Sequence, residues 1–237
     1  MAKKDATLKL ARRMRENVQK APQEPLPAPE AVAAVKKFKA PKFDQTVNVV
    51  MHLGIDVKQA DQSIRGSIAL PKGIGKSKRV VAFCAVDKAR LAMEAGAVKA
   101  GGEELVAEIE KGWMDFDVAV ATPDMMRVVS KLGKVLGPKG LMPSPKAGTV
   151  TPDVATAVKE YSAGKLEYRN DKGGNVHGVI GKMSFSEGDL AENLTHFIHA
   201  IERSKPSSVK GVYIKRIVIS GCMTPGVQVK YSPVVAE

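Results

Sequence analysis

Aromatic side chains make up only 5% of this 237-residue chain, and there is one tryptophan. A protein that binds single strands by stacking base after base on rings needs more of them. Cysteine is scarcer still: Cys84 and Cys222 are far apart in sequence and in no C-x-x-C pair. They read as free thiols, which fits a reducing cytoplasm. No run of 18 apolar residues occurs, so no membrane-spanning helix is expected. The basic N-terminus MAKKDATLKLARRMRENVQKA has no apolar stretch and no cleavage signature, and is not read as a secretory signal. Acid is in deficit, with 25 Asp and Glu against 37 Lys and Arg, for a net charge of +12. Such a balance favours a polyanionic partner, without separating RNA from DNA or an acidic membrane. Few rings and much charge point to a folded nucleic acid read by backbone and shape. The length suits one large domain or two modest ones, and 44% apolar residues suffice for a core.

The stretch LPKGIGKSKRVVAFCA (70–85) resembles a phosphate loop and fails as one. If Gly75, Lys76 and Ser77 ended that motif, its first glycine would fall on Leu70. The order is also wrong, because a phosphate loop follows a strand and opens a helix. Here the glycines precede a Val/Phe-rich run, Arg79 to Val86, that reads as a strand. The plain reading is a hinge: Pro71 ends one strand, and Gly73 and Gly75 loosen the chain.

Along the chain, a first helix is expected over Asp5 to Lys20, with Leu10, Ala11, Met14 and Val18 on one stripe. APQEPLPAPE (21–30) holds four prolines and reads as a linker. A short helix follows, about Glu30 to Phe38, with Val32, Val35 and Phe38 inward. FDQTVNVVMHLGID alternates, with Val47, Val49, Met51 and Leu53 on one face and Asn48, Val50 and His52 on the other. DQSIRGSIALP alternates again, with Ile64, Ile68 and Leu70 inward. These two strands read as an antiparallel pair. From about residue 74 the pattern changes to strand RVVAFCAV, helix DKARLAMEAGA, helix GGEELVAEIEKGW, strand DVAVAT and helix PDMMRVVSKLG, with Pro123 at its first turn. Alternating strands and helices predict a small α/β unit with a mostly parallel sheet. A helix from about Pro152 to Ala163 closes it. Strands then return: KLEYRND and NVHGVIGK around a KGG turn. A long helix, Glu187 to Ser204, carries Leu190, Leu194, Phe197, Ile198 and Ile201. The last strands are KGVYIKRIVISG and GVQVKYS. This order suits one domain made from both termini and a second inserted through hinges near 71–75 and 162–165.

Charge follows the same division. Residues 1–73 hold 14 basic and 7 acidic side chains, residues 163–237 hold 10 and 7, and residues 74–162 hold 13 and 11. The two-ended domain therefore carries most of the excess and is the better candidate for a polyanion contact. Within the insert, Lys131, Lys134, Lys139 and Lys146 crowd SKLGKVLGPKGLMPSPKAGTVTPD (130–153), which has four glycines and four prolines. It reads as a long loop, anchored by Leu132, Val135, Leu136, Leu141 and Met142. Loops of that length are usually functional or disordered. Its lysines either meet successive phosphates or are solvated.

LGPKGLMPSPKAGTV resembles the signature of the L-one family of large-subunit ribosomal proteins. So do KFDQTVNVVMHLGID, ADQSIRGSIALPKGIGK, AGGEELVAEIEKGWMDFDVAVATPDMM, GKLEYRNDKGGNVHGVIGK and KPSSVKGVYIKRIVIS. The resemblance runs over nearly the whole chain and its pattern is bacterial. It implies an α/β fold of two domains. One is a discontinuous α+β domain with an antiparallel sheet built from both termini (1–72 and 163–237). The other is an inserted Rossmann-like three-layer α/β domain (73–162). It also implies partners: a folded stalk segment of 23S ribosomal RNA, exit-site tRNA, the messenger of the protein's own operon and other large-subunit components. It implies no enzyme, no cofactor and a place on the ribosome in the cytoplasm.

Carried over by residue, the family's RNA surface falls on three stretches. Lys42, Phe43 and Thr46 match its KFDxT segment. Asp171 and Lys172 match its NDK turn, with His177 nearby. Ser220, Cys222, Met223, Thr224 and Gly226 lie in the last. Lys42 and Lys172 suit phosphates, Thr46 and Ser220 suit 2′-hydroxyls, and Phe43 and Met223 offer apolar contact to sugars or bases. Lys139 and Lys146 are expected to add weaker contacts. The last stretch departs from the family. Where Thr-Met-Gly-Pro is usual, this chain has Cys222, Met223, Thr224 and Pro225. If the glycine admits RNA close to the backbone, Thr224 should crowd it, with Gly226 compensating.

Plainer readings stand beside these. Phe43 reads as core from residue type alone. His196 and His199 read as surface histidines, with no third ligand at metal spacing. Cys222 lacks a neighbouring base and reads as a contact or buried thiol. RRMR is either a solvated helix face or a secondary phosphate contact, and Trp113 reads as packing. A nucleotide-using α/β enzyme is the alternative function. Against it, there is no G-x-G-x-x-G after the first insert strand and no Walker sequence, and fold analogy alone licenses no enzyme.

Overall fold

The computed structural model describes residues 11–231. Residues 5–10 of the expected first helix, Leu10 included, lie outside the described residues. In chain order the elements begin with α1 (Arg12–Lys20), α2 (Ala28–Lys36), β1 (Thr46–Leu53), β2 (Arg65–Ile68) and β3 (Val80–Phe83). They continue with α3 (Val86–Glu94), β4 (Lys99–Gly101), α4 (Glu103–Glu110), β5 (Val118–Ala121), α5 (Met126–Val129), α6 (Gly133–Leu136) and α7 (Val154–Ser162). The last are β6 (Leu166–Arg169), β7 (Asn175–Lys182), α8 (Glu187–Arg203), β8 (Ile214–Gly221) and β9 (Val227–Val229). Two compact units result. Among the described residues, one comprises 11–64, Leu70–Gly75 and 168–231, and the other Arg65–Ala69 and Lys76–Glu167.

The first unit is built on an antiparallel sheet of order β7-β1-β8-β9. Strict alternation along β1 buries Val47, Val49, Met51 and Leu53 to 1% exposure or less. Each such burial contributes about 1.5–3 kcal/mol. That face packs against α2 and α8, whose Val32, Val35, Leu190, Leu194, Phe197 and Ile201 are equally buried. The expected pairing of β1 with the DQSIRGSIALP strand is not formed. β1 lies between β7 and β8, and β2 pairs with β6 in a separate two-stranded sheet. Ile64, Ile68 and Leu70 are buried regardless, because alternation fixes which side chains point inward and is silent about the neighbouring strand.

Two buried asparagines hold the helices. Asn17, not the expected apolar stripe, is the fully buried residue of α1, and Ala11 is exposed. Its Oδ1 accepts the Lys39 N–H at 2.9 Å and its Nδ2 donates to the Lys39 carbonyl at 3.1 Å. Asn193 of α8 donates to the carbonyls of Ile180 (2.8 Å) and Gly73 (3.1 Å), and accepts the Lys72 N–H at 3.1 Å. The hinge-like segment at 70–79 contains Gly73 and Gly75 at φ 64° and 73°, a region costly to other residues.

The second unit is a three-layer α/β sandwich with a parallel sheet of order β4-β3-β5. Val80, Ala82 and Cys84 face a layer with Ala92, Val154, Val158 and Tyr161. Val81 and Phe83 face Leu105, Ile109, Val129, Leu132 and Leu136. β4 is only three residues long, too short to leave a periodic signal in the sequence. Segment 130–153 is not the structureless loop expected. It contains helical turns at Ser130–Leu132, Gly133–Leu136 and Pro145–Ala147. Leu132 and Leu136 anchor it at 0% exposure, while Val135 points outward.

Candidate nucleic-acid interface

Among the described residues, one face of the antiparallel sheet is left only partly covered. Thr46, Asn48, Val50 and His52 alternate with the buried residues of β1 and remain partly exposed. The register sets three rows across this face: Val179, Asn48 and Ser220; then His177, Val50, Val218 and Gln228; then Asn175, His52 and Arg216. From Thr46 to His52 the face spans roughly 20 Å at the usual rise of a strand.

At one end, two of the expected stretches meet. The Gln45 side chain, at 0% exposure, accepts the Met223 N–H at 2.9 Å. The Cys222 N–H donates to the Thr46 carbonyl at 3.1 Å, and the Cys222 thiol leans on the same oxygen at 3.4 Å. Asn48 Nδ2 approaches Cys222 Sγ at 3.9 Å. Gln45 is thus the positioning residue that sequence reasoning passed over. It holds the Met223 turn against the start of β1. Phe43 and Met223 stand out from this scaffold at 51% and 50% exposure. The core reading of Phe43 is therefore overturned. Arg13, from the RRMR cluster, places Nη2 3.8 Å from Met223 Sδ. The side chains of Lys42, Thr46 and Ser220 have no partner among the described residues.

Thr224 behaves differently from its neighbours. It is 7% exposed, and its hydroxyl accepts the Gly221 N–H at 2.8 Å. The side chain closes the turn from inside. Gly226 is exposed, and a Cβ there would come within 2.7 Å of Val218 Cγ1.

At the other end stands the turn that joins β6 to β7; the two strands belong to different sheets, but an antiparallel bridge between Asn170 and Val176 closes the expected hairpin-like turn. Asp171 organises it, accepting the N–H groups of Gly173 (2.8 Å) and Asn175 (2.7 Å) and the Asn175 amide at 3.0 Å. His177 Nε2 lies 3.4 Å from the same carboxylate. The Asn175 side-chain hydrogen bond, foremost among these, holds the Asp171 carboxyl well below the usual range. Gly174 at φ 75° lets the chain turn. Asp171 is thus engaged within the protein, while the exposed Lys172 is unpaired among the described residues.

Lys139 and Lys146 are exposed in the second unit, Lys146 within the turn Pro145–Ala147. That turn is held by the buried Tyr161, whose hydroxyl donates to the Ala147 carbonyl at 2.7 Å. Burial pushes the Tyr161 phenol up to about 12. Among the described residues no group of His, Cys, Asp and Glu is arranged to hold a metal.

The structure defines a class: a basic two-unit α/β protein whose antiparallel sheet exposes an apolar pair set among free lysines and hydroxyls. Comparison makes the class specific. A model of the Ribosomal protein L1p/L10e family matches residues 35–225. A "Large ribosomal subunit protein uL1" of Nocardioides sp. is 53% identical over 199 residues, 84% of this chain and 83% of the relative. A protein of the same name from Thiobacillus denitrificans is 50% identical over 210 residues, 89% of this chain and 91% of the relative. The chain belongs to the ribosomal protein L1 family.

Proposed function

We propose that this protein is a structural constituent of the large ribosomal subunit, located on the ribosome in the cytoplasm, with no enzymatic activity. Its first domain, made of residues 1–72 and 163–237, binds the stalk region of 23S ribosomal RNA through the open sheet face. The inserted domain, 73–162, adds weaker contacts through Lys139 and Lys146. The RNA-bound stalk assists release of deacylated tRNA from the exit site. The same face binds the messenger of its own operon and represses its translation.

One observation carries this reading: Phe43 and Met223 are half exposed at one end of the sheet face, with the exposed Lys42 next to Phe43 and the exposed Lys172 in the turn at the other end. Apolar contact to sugars and bases beside phosphate-pairing lysines is what shape-selective RNA binding requires. The relatives' printed names support the ribosomal assignment. The deciding experiment is a titration with the isolated stalk fragment of 23S RNA against a scrambled RNA of equal length, at two salt concentrations. Preference for the stalk that survives at the higher salt supports the proposal. Equal, salt-sensitive binding to both removes it, because charge alone then accounts for the affinity.

A further inference from the structure

Between the two ends of the open face lies a cavity of about 310 Å³, lined by Val50, His52, Asn175, Arg216 and Val218. All five lie in stretches that resemble the family, but none is among the site residues carried over from it. Val50 and Val218 are directly opposed across β1 and β8, as are His52 and Arg216. Directly opposed side chains stand about 4.5–5.5 Å apart at Cβ. The two valines form an apolar floor and the other three a polar rim.

The rim has a fixed polarity. Asn175 Nδ2 donates to Asp171 Oδ2 at 3.0 Å, so its Oδ1 turns to His52 Nδ1 at 2.9 Å. An amide oxygen only accepts, so the His52 proton sits on Nδ1. In the neutral tautomer that carries this proton, Nε2 is left as an acceptor. Arg216 is exposed and has no hydrogen bond or ion pair among the described residues. Among the described residues, no acidic side chain lines the cavity. The site offers a permanent cation with five donors, one acceptor and an apolar floor.

Resting on the RNA reading proposed above, we infer that this cavity is a subsite for one unpaired nucleotide of the bound RNA. Arg216 pairs its phosphate, His52 Nε2 accepts its 2′-hydroxyl and the two valines take the apolar face of the sugar. An oxyanion answers Arg216, and a hydroxyl donor answers His52. Ribose supplies that hydroxyl and deoxyribose does not. Position argues the same way. A strand running from Lys172 to Met223 along the face passes the His177, Val50, Val218 row that borders this cavity.

The test uses the full chain and the 23S stalk fragment. Arg216→Ala should lower affinity about tenfold and reduce the dependence of log K on log salt by about one phosphate contact. Arg216 is exposed and unpaired, so its thermal unfolding should match the parent. Interference mapping with randomly placed 2′-deoxynucleotides should reveal one position where deoxy substitution weakens binding to the parent but not to His52→Leu. Identical interference patterns for the two proteins, or an unchanged salt slope for Arg216→Ala, overturn the subsite while leaving the RNA reading in place. Failure of the parent to prefer the stalk over scrambled RNA overturns that reading, and the subsite with it.

Discussion

The Gln45 side-chain oxygen accepts the backbone N–H of Met223 at 2.9 Å, across 178 residues of chain. The bond closes the first unit between its two ends of sequence and sets the turn on which Met223 stands. Gln45 is wholly buried, and its amide nitrogen has no partner among the described residues. Truncation therefore loses one hydrogen bond and leaves the Met223 N–H unpaired. Gln45→Ala should cost about 1–3 kcal/mol, read as a lower urea midpoint with unchanged slope. Stalk-RNA affinity should fall with it at temperatures where the variant is folded. Unchanged affinity would mean that the turn does not need Gln45 to present Met223.

The two ends of the face should contribute differently. Lys172 is a cation in a turn with no partner among the described residues, so Lys172→Ala should weaken stalk and scrambled RNA alike and reduce the salt slope by about one. Met223 is apolar and half exposed. Met223→Ala should weaken the stalk RNA more than the scrambled one and leave the slope alone. Equal losses for both RNAs in Met223→Ala would contradict its role in recognition.

Much of this was legible in the sequence, and the remainder has identifiable physical causes. The inward rows of β1 and α8 follow from periods of 2 and 3.6, and their burial matches except at Ile198, which is only partly buried. Strand neighbours do not follow, since alternation says nothing about partners, and β1 pairs with β7 and β8 instead of the next strand. Asn17, Gln45 and Asn193 break the hydrophobic pattern. Each satisfies buried backbone groups through its side chain, and such bonds have no sequence signature. Asn48, Val50 and His52 were readable as a second face. That Arg216 lies opposite His52 needed the register.

The Asp171 turn makes a pH prediction. Hydrogen bonds from the Asn175 side chain, the Asn175 backbone, His177 and Gly173 depress the folded-state titration of Asp171. The unfolded carboxyl titrates near the ordinary value of about 3.9. A depressed carboxylate contributes stability that is fully present above that value and is lost as pH falls through the folded one. The turn should therefore keep its structure through the range where ordinary aspartates protonate. Amide chemical shifts of Gly173 and Asn175, followed from neutral to acid pH, should stay constant to below pH ~4 and move only in stronger acid. Movement centred on the ordinary value would show that the carboxylate is not held as described.

Tyr161 connects the core of the second unit to the Lys146 turn. Its hydroxyl is the donor to the Ala147 carbonyl, and the residue is 1% exposed. Tyr161→Phe keeps the packing and strands that carbonyl, at a cost of about 1–3 kcal/mol. Calorimetry should show the loss as a lower Tm. Hydrogen exchange at Gly148, whose N–H bonds the Pro145 carbonyl at 3.0 Å, should accelerate. Binding of the stalk RNA by the first unit should not change.

Thr224 stands where the resemblance read from the sequence leads to the expectation of a glycine, and on that reading its side chain should crowd bound RNA. The side chain instead turns inward. It is 7% exposed, and its hydroxyl accepts the Gly221 N–H at 2.8 Å while its own N–H donates to the Gly221 carbonyl at 3.3 Å. Restoring glycine removes a buried hydrogen bond and adds backbone freedom to the unfolded chain. Thr224→Gly should therefore lower stability by about 1–3 kcal/mol. Stalk-RNA affinity should hold or fall, since nothing that faces outward is removed. A tighter complex for Thr224→Gly would show that the side chain does obstruct RNA, and that the inward rotamer is not the one that meets it.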